Sequence, residues 1–140
     1  MSGPALKKKD SHAAIHEAAL DEARELTELL GKETEHSRDD RAVQIACVLV
    51  EHWETRTLAH AQTEEEGLYR ELAKQSPKAR RAVSELTRDH ELMRRLLREI
   101  KAALTQKDDL KRIHARFQAM ILVDEIHNDD EESLIAAKGR

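Results

Sequence analysis

The sequence is poor in aromatic residues, glycine, proline and cysteine. Aromatics make up 2% of the 140 residues, so the core must consist of Leu, Ile, Val, Ala and Met. With 4 Gly, 2 Pro and no β-branched runs bounded by turn residues, the chain has little to offer a β-sheet, and the helix-favouring Ala, Leu, Glu, Lys and Arg dominate. The sequence therefore predicts an all-α domain. The one cysteine, Cys47, lies in the apolar run VQIACVLV and is predicted to be a buried thiol without a redox role.

Long apolar runs and long runs of one charge sign are also missing. The 24 Lys and Arg residues and the 28 Asp and Glu residues are mixed along the chain, so no basic stripe for nucleic acid stands out. The basic start MSGPALKKKD is not followed by an apolar stretch of signal-peptide length, and nothing approaches the ~20 apolar residues of a membrane span. We expect a cytoplasmic protein that binds neither nucleic acid nor membranes.

Breaks in the helical pattern divide the chain into four segments. Ser76 fits a helix N-cap and Pro77 a first helical turn. Because the connections are short, neighbouring helices should be antiparallel, which predicts an up-down-up-down four-helix bundle. It would form one domain over residues 10–137, with a flexible tail at 1–9 and a short tail at 138–140. The predicted helices span about residues 10–30, 40–75 and 109–137, and a third helix runs from residue 77 to the break at TQKDD, residues 105–109.

Polar residues interrupt the apolar face of each predicted helix. Residues on that face recur at alternating steps of three and four, which keeps them on one side. Burying a carboxylate without a partner costs several kcal/mol, so an inward glutamate must be paired, protonated or bound to a metal. The inward histidines and glutamates are His16, His60, Glu64, His90, His127 and Glu131, and Asp124 lies on the same face of the fourth helix.

The distances of the histidines from the predicted turns place them at a similar height along the bundle. Residues equally far from an antiparallel turn lie level, with ~1.5 Å of rise per residue. His60 lies 16 residues before Ser76 and His90 lies 14 after it, so the two agree within about 3 Å. His127 fits the same level nearly as well, and His16 more loosely. The four histidines are therefore predicted to converge.

Two stretches, HAQTEEEGL and HNDDEESLI, each carry a glutamate four residues after a histidine. That spacing leaves both side chains on one helix face, where they can share a metal. Nitrogen and oxygen donors without thiolate suit iron or manganese better than a structural zinc site. We predict a two-metal centre bridged by Glu64 and Glu131.

At these motifs the sequence resembles the hemerythrin superfamily, in its hemerythrin-like cation-binding (His-His-Glu) branch. The resemblance covers about residues 10–137 and rests on IHEAAL, LAHAQTEEEGLY, TRDHELMRRLL and IHNDDEESLI. It implies a four-helix bundle holding two iron ions, with the six inward residues as ligands. It also implies binding of, or reaction with, O2, peroxide or nitric oxide, in oxygen sensing, catalase- or peroxidase-like activity, stress protection or iron handling.

The chain departs from the oxygen-carrying hemerythrins at two positions. They have a further histidine one turn after the third-helix ligand, where this chain has Arg94, and usually an Asp at the position of Glu132. Glu131 keeps the helical spacing and is preferred as the ligand. His12, one turn before His16, is either a replacement for the missing histidine or a surface residue at the helix start.

Other polar residues near the motifs have simpler interpretations. Asp124, one turn before His127, either orients a ligating imidazole or forms a salt bridge with Arg94 or Arg56. Tyr69 is predicted to pack in the core. The histidines assigned to no metal are His36, His52 and His114.

Two other functions compete with the di-metal hypothesis. In a metal-free helical interaction module that binds a protein partner, the inward His and Glu residues would simply be paired. A ferritin-like di-iron oxidase would need Glu-x-x-His on two helices, and the chain has only Glu33 to His36, at a helix end.

Overall fold

The computed structural model describes residues 4–137, with side chains from His12 onward. This part of the chain is helical and contains no strand, which confirms the all-α prediction. None of its helices is long and apolar enough to cross a membrane. The elements are α1 (Pro4–Glu35), α2 (Asp39–His52), a π-helix (Trp53–Thr57), α3 (Leu58–Glu66), α4 (Leu68–Ala73), α5 (Pro77–Thr105) and α6 (Leu110–Ala137).

The first helix is longer than predicted at both ends. It begins at Pro4, so residues 4–9 of the predicted tail are helical, while residues 1–3 and 138–140 lie outside the described part. Gly31 lies inside α1 and does not end it. A Cβ atom there would lie 2.7 Å from His114 Nε2, so the glycine makes room for a side chain of α6. The helix ends at Glu35, and Ser37 in the following turn adopts a left-handed conformation with φ 57°.

The second predicted helix is divided into α2, the π-helix, α3 and α4. Gly67, with φ −120° and ψ −84°, separates α3 from α4. This break changes which residues face inward. Leu68, which the helical spacing places inward, is only partly buried, whereas Tyr69 is 2% exposed. Residues 68–73 are therefore rotated relative to a continuous helix.

The last two helices begin and end close to the predicted positions. Ser76 caps α5, since its Oγ accepts a hydrogen bond from the Ala79 backbone N at 2.9 Å, and Pro77 is the first helical residue. Lys107, with φ 54°, lies in the turn before α6. The predicted cap and the predicted turn are both confirmed.

Two apolar clusters lie at different heights along α5 and α6. The larger one, packed between α1, α2, α5 and α6, includes Trp53, Met93 and Phe117. The smaller one contains Tyr69, Leu72 and Leu86. Because Leu86 precedes His90 and Met93 follows it, the predicted histidine lies between the two clusters.

Cys47 is exposed, so the prediction of a buried thiol was wrong. Its neighbour Ala46 is fully buried, and Leu49 and Val50 face the core with it. Adjacent helical residues point ~100° apart, which turns Cys47 toward solvent. An apolar run in a helix therefore does not bury all of its members.

Candidate metal centre

A band of histidines and glutamates crosses the interior between the two apolar clusters. On α5, His90 occupies the same inward face as Leu86 and Met93, so the spacing that buries the core also buries the histidine. His90 and Glu131 are 1% and 0% exposed. The band consists of His12 and His16 from α1, His60 and Glu64 from α3, His90 from α5, and His127 and Glu131 from α6.

The donor atoms of this band form two groups that share Glu64. Within each group, one donor atom from every residue lies within 4.8 Å of the others. Metal–nitrogen and metal–oxygen bonds of about 2.0–2.2 Å allow two ligand atoms of one ion to lie at most about 4.4 Å apart. Both groups are thus near the size of an ion's ligand shell. The first group is His12, His16, His60 and Glu64, and the second is Glu64, His90, His127 and Glu131.

Glu64 directs its two carboxylate oxygens to different groups. Oε2 lies 2.9 Å from His12 Nε2 and 3.7 Å from His60 Nε2. Oε1 lies 3.5 Å from His90 Nε2. Burial raises the pKa of Glu64 to about 8, so the metal-free site disfavours a second carboxylate charge. The geometry is that of a carboxylate able to bridge two ions.

Glu131 also directs its two carboxylate oxygens to different histidines. Oε1 hydrogen-bonds His12 Nε2 and lies 3.6 Å from His16 Nδ1, while Oε2 lies 3.3 Å from His127 Nε2. Burial opposes its charge, but hydrogen bonds from His12 and His127 hold the pKa of this carboxyl well below its usual range. Glu132 is exposed and lies outside both groups.

The structure brings His12 into the band. Its ring centroid lies 4.3 Å from that of His16, and its side chain is 15% exposed. Hydrogen bonds to Glu131 and Glu64 raise the pKa of His12 to about 10, so this imidazole is protonated in the metal-free protein. His12 is therefore not a surface residue, and it lies in the first group of donors, whereas Arg94 lies one turn after His90 of the second group.

His90 is oriented by a carboxylate from another helix. Its Nδ1 donates a hydrogen bond to Glu65 Oε2 at 2.7 Å, which leaves Nε2 facing the band. Arg94 donates to the same oxygen at 2.7 Å. Arg94 therefore reaches the site only through Glu65, and it is not itself in either group of donors.

His127 is held in a similar way. Its Nδ1 donates to Asp89 Oδ2 at 3.0 Å, and its Nε2 lies 3.1 Å from His90 Nε2. Since both Nδ1 atoms are committed to carboxylates, only a proton or a cation can lie between the two Nε2 atoms. Burial alone would lower the pKa of His127, but the hydrogen bonds to Glu131 and Asp89 and the nearby carboxylate charges together outweigh burial and raise the pKa to about 9. In the metal-free protein this site holds a proton.

Asp124 does not make either of the predicted contacts among the described residues. Arg94 and Arg56 pair with other glutamates, and Asp89 instead of Asp124 holds His127. Asp124 is 3% exposed, and burial raises its pKa to about 7. It lines the cavity described below.

Tyr69 belongs to the site, although it was predicted only to pack in the core. Its hydroxyl donates to Glu131 Oε2 and lies 3.2 Å from His127 Nε2 and 3.4 Å from His90 Nε2. Burial raises the pKa of this phenol, so it stays protonated in the metal-free protein. The signal in the sequence is Gly67, whose break brings Tyr69 inward.

Two donor atoms in the band are buried without a hydrogen-bond partner in the described part of the chain. Buried polar atoms ordinarily have partners, and each that lacks one needs an explanation. Burial also lowers the pKa of His16 to about 4, so this ring stays neutral and keeps one nitrogen lone pair free. The two atoms are His16 Nδ1 and His60 Nε2.

The histidines that were assigned to no metal lie outside both groups. His52 is buried, and its Nε2 hydrogen-bonds the Ala19 carbonyl at 2.8 Å. His36 bonds to the Lys32 carbonyl, and the His114 ring packs against Gly31. Each has a structural role elsewhere.

A cavity of about 510 Å³ connects the band with the surface between α1 and the π-helix. The exposed Ile15 and Arg56 lie at its outer part, and His16, His60 and Glu64 form part of its inner wall. A small molecule could therefore approach the donor atoms from solvent.

The family model described as "Hemerythrin HHE cation binding domain" matches residues 9–138. Neither the comparison with curated proteins nor that with solved structures gave a match. The matched range includes every residue of the band.

Proposed function

Because the chain belongs to the hemerythrin family of HHE cation-binding domains, we propose that it is a non-haem di-iron protein. His12, His16 and His60 would hold one ion, and His90 and His127 the other. The observation that carries this proposal is the division of the Glu64 and Glu131 oxygens between the two groups. The two glutamates would bridge the ions.

The donor set fits the proposed metal. It combines imidazole nitrogens and carboxylate oxygens without thiolate, which suits iron, with manganese as the alternative. The unpartnered His16 Nδ1 and His60 Nε2 are atoms that an ion would satisfy. Their lack of partners argues against the metal-free interaction module, in which these groups would be paired.

The ferritin-like alternative has no support in the described residues. The one Glu-x-x-His segment, Glu33 to His36, lies at the end of α1. There Glu33 pairs with Arg38, and His36 bonds to the Lys32 carbonyl. The segment is far along the helix from His12 and His16.

We also propose that the elements form the up-down-up-down bundle expected from the sequence. In it, α2, the π-helix, α3 and α4 would act as one interrupted helix. Packing of α1 against α2 and α6, and of α5 against α4 and α6, supports this order. The arrangement brings donors from every long element to one level.

The small ligands we propose are O2, peroxide or nitric oxide. Iron supplies one-electron chemistry and polarises what it binds. The chain's own contributions are the orientation of His90 and His127 by Glu65 and Asp89, and a cavity that admits a small molecule. Tyr69, whose hydroxyl contacts Glu131, lies beside the same place.

The test is to reconstitute the protein anaerobically with ferrous iron and mix it with peroxide, O2 or nitric oxide in separate stopped-flow experiments. With at least one of the three, we expect an absorption change that reports oxidation of the iron or formation of a complex with it. This change should be lost in Glu64→Ala. His36→Ala, an exposed histidine outside the band, is the matched control. An iron-loaded protein inert to all three would overturn this proposal.

A further inference from the structure

Tyr69 occupies a position that neither the helical spacing nor the family's cation-binding motif requires. Its ring is stacked on that of His90, with centroids 5.4 Å apart and planes 8° apart. The contact fixes the direction of the hydroxyl. The oxygen lies 3.2 Å from His127 Nε2, 3.4 Å from His90 Nε2 and in contact with Glu131 Oε2.

We propose that Tyr69 is a metal ligand, whose phenol oxygen completes the shell of the ion held by His90 and His127. The inference rests on the proposed function, since it needs a metal in this group. It adds a donor type, an anionic phenolate, that the His and Glu motif does not contain.

The count of hydrogen-bond donors supports the ligand role. A phenol has one proton, and here it is directed to Glu131. The oxygen lone pairs then face the Nε2 atoms of His90 and His127, whose Nδ1 protons are already donated to Glu65 and Asp89. Only one proton, the one held between the two Nε2 atoms, lies among the three residues, so not all of these lone pairs are satisfied at once. A cation satisfies all of them together.

The distribution of donors between the two groups gives a second, independent argument. The first group has three histidines, and the second has two. One turn after His90 the chain has Arg94, which is directed to Glu65 and contributes no donor to the band. With Tyr69 included, each ion has three terminal donors and shares the two bridging carboxylates.

The local backbone positions this residue. Gly67 interrupts the helix, and α4 then directs Tyr69 inward, where it packs with Leu72 and Leu86. At 2% exposure the ring is held firmly by these neighbours. When an ion binds, the phenol proton leaves to solvent, because a bound cation strongly favours the deprotonated form of its ligand.

The experiment uses the fact that Tyr69 is the one tyrosine of the sequence. Wild-type protein and Tyr69→Phe are loaded with iron, oxidised to the ferric state and compared by iron analysis, visible absorption and resonance Raman. We expect wild type to show a phenolate-to-iron charge-transfer band with tyrosinate vibrations, and Tyr69→Phe to keep its iron and lose both. Zinc-loaded wild type should lack the band, because Zn²⁺ has a filled d shell and is not redox-active.

A labelled sample decides the case in which Tyr69→Phe does not hold iron. In wild type grown with ring-deuterated tyrosine, the enhanced vibrations must shift, since the label enters Tyr69 alone. Iron in wild type without tyrosinate vibrations would overturn the phenolate ligand and leave the di-iron centre standing. Absence of iron from wild type would overturn both.

Discussion

Glu64 on α3 and Glu131 on α6 divide their carboxylate oxygens between the same two groups of histidines. Each contacts His12 through one oxygen and a histidine of the second group through the other. Two carboxylates arranged in this way can link two ions. The residues that follow them in the chain have other roles, since Glu65 orients His90 and Glu132 is exposed.

Replacing Glu131 with alanine should release both metal ions. The side chain contacts donors of both groups, so its loss weakens each ion's shell. The measurement is iron per chain after reconstitution and gel filtration. Glu132→Ala, one residue further along and exposed, should keep the wild-type content. Equal iron in the two variants would show that Glu131 is no ligand.

His12→Ala should lower metal binding, with the larger effect on the ion of the first group. His12 contacts both glutamates, and its removal leaves that group with two histidines. Titration with ferrous iron should show one site weakened more than the other. His52→Ala removes a buried histidine outside the band and should leave both sites intact. Metal loss in His52→Ala alone would contradict the assignment.

Glu65→Gln should weaken metal binding by about 10–100-fold, which is typical when a carboxylate that orients a ligating imidazole is lost. Glu65 fixes His90 at 2.7 Å and is itself held by Arg94. Competition with a metal chelator of known affinity measures the change. Glu66→Gln, at an adjacent exposed position, is the control, and identical affinities in the two variants would refute the positioning role.

Ser76→Ala should destabilise the metal-free protein by about 1 kcal/mol, the usual loss for a helix N-cap. The hydroxyl accepts a hydrogen bond from the Ala79 backbone N, which otherwise has no intrahelical partner. Urea unfolding followed by circular dichroism measures the difference. Ser84→Ala, at an exposed position inside α5, should cost little, and equal destabilisation by both changes would contradict the capping role.

Helical spacing was enough to predict most of the band. In α5 and α6, an inward polar residue follows the same rhythm as the core, so His90, His127 and Glu131 could be found from their neighbours. The structure places these residues, with His16, His60 and Glu64, in the two groups of donors.

The residues that orient the histidines could not be predicted in the same way. Glu65 and Asp89 each follow or precede a member of the band, but each reaches a histidine on a different helix. Their role depends on how the helices pack against each other. Periodicity within one helix carries no information about that.

Tyr69 was missed for a local reason. A continuous helix would place Leu68 inward, four residues after Glu64, but Gly67 breaks the hydrogen-bonded pattern and turns Tyr69 inward instead. A glycine directly after a ligand motif indicates such a change of register, although its direction depends on packing. Cys47 was predicted wrongly for a different reason: the helix there is regular, and its ordinary rotation turns Cys47 toward solvent.

The most direct measurement is the iron, manganese and zinc content per chain of wild-type protein purified without chelator and of Glu64→Ala prepared in parallel. Glu64 belongs to both groups of donors, so a shared centre predicts about two metal ions per wild-type chain and near-complete loss in the variant. A wild-type protein that holds no metal even after anaerobic reconstitution with ferrous iron would contradict a di-metal centre.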